Sequence, residues 1–275
     1  YGDATLIADL QSGKKIHAIF GASVYEKSYQ VVKDDAELYG RAKNAVFGSL
    51  YGAQPPKLAE TLGRDLGRVE EGLRRFEERY PGVGAARQRI AEDFCSMRQP
   101  GGIGTVVEWH EPAPYVESLF GYRRWFTLEN SVCRALFELA ESPPAAWRTK
   151  ELAGMRVSRR AGRIQTPGGA VQSALFACAF GIQASNMRQA ANHTIQSSGA
   201  QITKRLQCRI WEQQPSGVHP WRVQPLQIHD EVQCPRRPEV DLRPTIAEVL
   251  EFYRPVVPLI GMKWCQGLKN WGEKG

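Results

Sequence analysis

The sequence predicts an α+β fold, mostly helical, with a small antiparallel sheet towards its C-terminal end. Three observations predict it. Apolar residues recur at helical spacing between residues 36 and 97 and again from 171 to 211. Residues 223–233 instead alternate and carry β-branched side chains, the pattern of a strand hairpin. The chain has 275 residues, 42% hydrophobic and 24% charged, which suits one large domain or two smaller subdomains with a proper core.

Taken in order, 36–51 is the first clear helix, with Leu38, Ala42, Ala45, Val46 and Leu50 as its apolar set. Pro55 and Pro56 are expected to stop it, and a short helix to run from 57 to 62. A charge-rich amphipathic helix over 69–78 ends at the turn signal Tyr80-Pro81-Gly82, and another covers 85–97. After the glycines of 100–104, short strands and turns are expected. Pro143, Pro144 and the basic run from 156 to 163 mark irregular structure. Two helices, 171–178 and 184–211, precede the 223–233 hairpin, and a helix over 244–252 and a strand over 259–264 close the chain.

There are 36 Lys plus Arg against 29 Asp plus Glu, a net charge of +7, which is compatible with a polyanionic partner. The six cysteines are scattered without a C-x-x-C pair, so reduced thiols in a cytoplasmic setting are expected, and no stretch is apolar for long enough to span a membrane. Position 1 is Tyr, so further chain is expected upstream. Gly101-Gly102-Ile103-Gly104-Thr105 fits neither a Walker nor a dinucleotide-binding pattern and reads as a loop.

Three rows of side chains carry chemistry. Lys43, Phe47 and Tyr51 recur every four residues, so one helix face presents a cation, a ring and a phenol, with Gly48 letting a base or another helix come close. That set suits a triphosphate and a sugar; a packed aromatic stripe is the structural alternative. Arg188, Asn192 and Gln196 repeat the same spacing, and such donors match the minor-groove acceptors that occupy similar places in every base pair. An exposed polar face is the alternative here. The third feature is Ile228-His229-Asp230-Glu231-Val232, in which adjacent carboxylates sit between β-formers and need a cation such as magnesium; a solvated turn is the alternative.

Together these segments resemble family A DNA polymerases, the group that includes bacterial DNA polymerase I. Residues 39–52, Y-G-R-A-K-N-A-V-F-G-S-L-Y-G, resemble the nucleotide-binding finger helix. Residues 188–200, R-Q-A-A-N-H-T-I-Q-S-S-G-A, resemble the primer-template helix, and Q-I-H-D-E-V at 227–232 the second carboxylate motif. Weaker echoes are K-K-I-H (14–17), R-Y-P-G-V (79–83), Y-V-E-S-L-F-G-Y-R-R (115–124) and L-K-N-W near the end.

The resemblance implies the fingers and C-terminal palm of a right-hand polymerase: 1–11 as the end of a palm segment, 12–165 as fingers, 166–275 as C-terminal palm. It implies that Lys43 and His17 hold the triphosphate of a dNTP, and that Phe47 and Tyr51 shape the pocket for its sugar and the nascent base pair. Asp230 would ligate one of two magnesium ions with Glu231 nearby, His229 would meet the primer end, and Arg188, Asn192 and Gln196 would follow the minor groove of primer-template DNA. One departure is Tyr39, which stands where the family usually has an Arg; Arg41 points elsewhere on the helix. Residues 125–170 are longer and more basic than the pattern. The thumb and the strand bearing the first metal-binding carboxylate are expected upstream of residue 1, since Asp3 and Asp9 lie too near His17. An N-terminal polymerase segment or subunit is therefore the expected partner, and negligible activity is expected without it. The S-S-G-A-Q variant suggests a phage or other mobile element. A non-catalytic primer-template-binding subunit is the competing reading; a metal-dependent nuclease leaves Lys43, Phe47 and Tyr51 without a task.

Overall fold

Short polar side chains start several helices. Asp3, Ser28, Asp35 and Asp65 lie in extended backbone, and each accepts from an amide two or three residues ahead. They cap α1 (Ala4–Gln11), α3 (Tyr29–Asp34), α4 (Ala36–Leu50) and α6 (Leu66–Arg79); α2 (Ile16–Tyr25) lies between the first two. The remaining helices of this group, α5 (Pro55–Leu62) and α7 (Pro81–Phe94), begin on prolines. The prolines expected to stop a helix are thus the first turn of the next one, where a missing amide costs nothing.

The computed structural model describes residues 2–144, 158–160, 163–165, 167–214, 223–228, 230–234, 240–265 and 267. They are mostly helical with small antiparallel sheets, and they form two compact units, Tyr1–Ile195 and Gln196–Gly275. The helical core of the first unit buries Phe20, Val24, Val32, Val46, Leu58, Leu62, Val69, Phe76 and Tyr80.

Two hairpins follow in that unit: β1 (Met97–Arg98) with β2 (Glu108–Trp109), and β3 (Tyr115–Glu117) with β4 (Arg123–Trp125). Helix α8 (Thr127–Glu141) packs Cys133 and Phe137 against Met97 and Trp109 in one cluster. This helix lies in the stretch where strands and turns were expected, although Cys133, Phe137 and Ala140 repeat at helical spacing. The hairpin of β5 (Ser158–Arg160) and β6 (Arg163–Gln165) falls in the basic run read as irregular.

Helix α9 (Pro167–Gln213) is continuous where two helices were expected. Gly181 weakens a helix by only about 1 kcal/mol, and Gln183 beside it is fastened from outside. Its side-chain oxygen accepts from Ser96 Oγ at 3.0 Å and from the Met97 amide at 2.6 Å. In the second unit, β7 (Leu226–Ile228) pairs with β8 (Glu231–Gln233), and α10 (Arg243–Tyr253) follows. The strand expected over 259–264 does not form. Pro255 and Pro258 lack amides, and the Val256, Val257 and Ile260 amides are spent in local turns. No helix among the described residues is long and apolar enough to cross a membrane, and none of the six cysteines is in a disulfide.

Candidate functional site

Gly21 sets the distance between α2 and α4. A Cβ there would lie 2.8 Å from Val32 Cγ1 and 2.9 Å from Ala42 Cβ, so no side chain fits at this crossing. One turn earlier on α2, His17 then reaches the rings of α4. Its ring centre is 5.2 Å from that of Phe47 and 6.0 Å, edge-on, from that of Tyr39. Phe47 in turn stacks on Tyr51 at 6.1 Å and 16°. Lys43 is exposed one turn before Phe47.

Burial holds the His17 pKa below its ordinary value, and the charges of Lys43 and then Lys15 add to the effect. Its Nδ1 is buried without a hydrogen-bond partner. The fold thus favours the uncharged form of an imidazole that lies against two rings, near ammonium groups that make no ion pair among the described residues. The structure therefore gathers His17 from α2 with Lys43, Phe47 and Tyr51 from α4 and its C-cap. Sequence reasoning passed over Lys15 and gave Tyr39 no contact; both adjoin residues it had singled out.

The glycines after Phe47 act locally. A Cβ on Gly48 would lie 3.1 Å from Leu58 Cδ2, so its neighbour is α5. Gly52 has φ +83°, and a Cβ there would lie 3.2 Å from Arg188 Cγ. The stem of Arg188 thus crosses the chain just after α4. Arg188 and Asn192 are exposed and four residues apart on α9, and Gln196, also exposed, continues the spacing into the second unit.

The β3–β4 hairpin is fastened beside this row. An Arg124 guanidinium nitrogen donates to Gln189 Oε1, and His193 Nε2 hydrogen-bonds the Tyr122 carbonyl at 3.1 Å. Tyr122 and Trp125 remain 63% and 57% exposed, so the hairpin offers aromatic surface next to the polar row. The R-Y-P-G-V segment has a structural task. Arg79 and Tyr80 donate to buried Asp9 at 2.5 and 2.9 Å, and the Gly82 amide donates to Asp3 Oδ2 at 2.7 Å. Both acids near His17 are thereby engaged within the fold.

The carboxylate motif belongs to the second unit. Asp230 is exposed in the turn between β7 and β8, and Glu231, half-buried, pairs with Ile228 across the hairpin. Gln227 Nε2 donates to Thr203 Oγ1 at 2.7 Å, and Gln207 Nε2 to the Pro225 carbonyl, which tie the hairpin to α9. His229, the L-K-N-W segment and residues 156, 157, 161 and 162 of the basic run lie outside the described residues. Among the described residues no three His, Cys, Asp or Glu side chains group to hold a metal. Asp230 and Glu231 offer carboxylate oxygens, the donor type magnesium takes, and so fit as part of a shell completed by other oxygens.

The family model for DNA polymerase family A matches residues 1–272. The chain belongs to this family. A relative of this family A chain, the thermostable DNA polymerase I of Thermus filiformis, is 31% identical over 140 residues, which is 51% of the chain and 15% of the relative. A solved structure, the POL domain of Pol1 from M. smegmatis in complex with DNA primer-template and dNTP, shares its fold. The TM-score is 0.51 at 18% identity, over 92% of this chain and 33% of that one. The chain thus spans a third or less of the length of both polymerases.

Proposed function

We propose that this chain carries the nucleotide-binding and primer-side parts of a template-directed DNA polymerase, which transfers a nucleotide from a dNTP to the primer 3′ hydroxyl. The observation that carries the reading is the meeting of His17, Lys43, Phe47 and Tyr51 where α2 crosses α4. A polyphosphate answers the exposed ammonium of Lys43 beside the imidazole, while the stacked rings give a sugar and base an apolar wall. The mycobacterial POL domain was solved with primer-template and dNTP, and the same ligands are proposed here.

In this reading 12–165 form the fingers, and 166–275 with the end segment 1–11 belong to the palm. Lys43 and His17 hold the triphosphate, and Phe47 and Tyr51 close on the nascent pair. Arg188, Asn192 and Gln196 lie along the minor groove, and His229 meets the primer end. Asp230 and Glu231 hold magnesium, together with a further carboxylate from a segment N-terminal to residue 1. Bound magnesium supplies charge neutralisation to the phosphoryl transfer, and the residues of this chain supply alignment. The S-S-G-A-Q variant supports a phage or other mobile-element source, and the scattered cysteines without a C-x-x-C pair support a cytoplasmic setting.

The test is primer extension with magnesium and four dNTPs, using the chain together with the N-terminal polymerase segment. Extension that Asp230→Ala abolishes, with primer-template binding retained, is expected. Binding that no N-terminal segment converts into extension would instead establish a non-catalytic primer-template-binding subunit.

A further inference from the structure

The cations around α2 and α4 divide into two kinds. Lys14 is held by Asp9 at 2.8 Å and Arg41 by Glu37 at 2.7 Å, so both charges are already answered. Lys43 and Lys15 are exposed, and neither makes an ion pair among the described residues. Both charges act on His17, one from each helix.

Residue 15 is also fixed in place. Its backbone amide donates to the Tyr29 hydroxyl at 3.0 Å, which ties the start of α2 to α3. As the N-cap of α2 its side chain makes no capping bond. At the positive end of a helix, Lys15 adds its charge to a place that already favours an anion. Tyr39, edge-on to His17, stands where the family pattern has an arginine, which leaves α4 with Lys43 as its unpaired cation on this side.

We propose that Lys15 is a second phosphate-holding residue, so that the nucleotide triphosphate is gripped between Lys15 at the start of α2 and Lys43 on α4. Lys15 supplies from α2 the charge that position 39 does not supply from α4. This inference rests on the nucleotide reading above.

The test measures binding of a deoxynucleoside triphosphate, inorganic tripolyphosphate and a deoxynucleoside monophosphate to the 275-residue chain, with the His17 ring titration followed by NMR. Lys15→Gln weakens triphosphate and tripolyphosphate binding about tenfold, the loss of one charge-assisted contact. It leaves monophosphate binding nearly unchanged, and Lys15→Arg restores the affinity. The same substitution raises the His17 pKa, as Lys43→Gln does, because each removes a neighbouring positive charge. Adding Tyr39→Arg to Lys15→Gln recovers most of the lost triphosphate affinity, and Lys14→Gln has no such effect. If Lys43→Gln weakens triphosphate binding while Lys15→Gln leaves it unchanged, the inference is overturned and the nucleotide reading stands. If the unaltered chain binds neither polyphosphate and His17 does not respond to them, both fall together.

Discussion

His17 shows how much a single side chain reports about its surroundings. Its imidazole is half-buried, faces Tyr39 and Phe47 of α4, and lies near Lys15 and Lys43. Its pKa in the fold therefore lies below the unfolded value of about 6.5. As pH falls below that value the unfolded chain takes up the proton first, so the contribution of His17 to stability is complete above it and is lost below. Urea denaturation of the first unit at pH 7.5 and 5.5 measures this, and His17→Gln is expected to remove part of the difference. At this scale the sequence is informative about type and poor about partners. K-K-I-H names two adjacent lysines, and nothing in the motif says that Asp9 neutralises the first and leaves the second free. Asp9 and Lys14 are neighbours in sequence, but the side chains completing that site, Arg79 and Tyr80, arrive from about seventy residues away.

The elements were legible where period alone decides them. Lys43 and Phe47 share a face because Ala36–Leu50 is one helix, and Tyr51 follows as its C-cap. The hairpin of Leu226–Ile228 and Glu231–Gln233 appears where alternation placed it. The misses have more than one cause: proline position and tertiary contacts account for some, while α8 carried its own helical spacing. Pro55 and Pro81 open helices. Gln183, locked to Ser96 and Met97, carries α9 through Gly181. The crossing of α2 and α4 was equally hidden, because Gly21 carries no motif. Gly21→Ala places a methyl within 3 Å of Val32 and Ala42, and Ala42 has no rotamer with which to yield. The cost expected is about 1–3 kcal/mol, read as a lower thermal midpoint. The greater His17–Phe47 distance should also weaken triphosphate binding in the surviving fold.

For the whole molecule the relevant quantity is charge. The chain carries +7, and Arg188 stands exposed on the face proposed to follow the duplex. Binding of primer-template DNA should weaken steeply with salt, and Arg188→Ala should reduce the slope of log K against log salt by about one. An unchanged slope would remove Arg188 from the proposed interface. Another property of the first unit comes from Asp3. One oxygen of its carboxylate caps α1, at the Leu6 amide, and the other takes the Gly82 amide, 79 residues away. Nothing shorter in sequence supplies that second bond, so forming it closes a long loop whose entropy must be met first. This dictates an order in time. On refolding, α2 to α7 should gain protection from hydrogen exchange before α1 does, and Asp3→Ala should speed the release of α1 while hardly slowing the assembly of the rest.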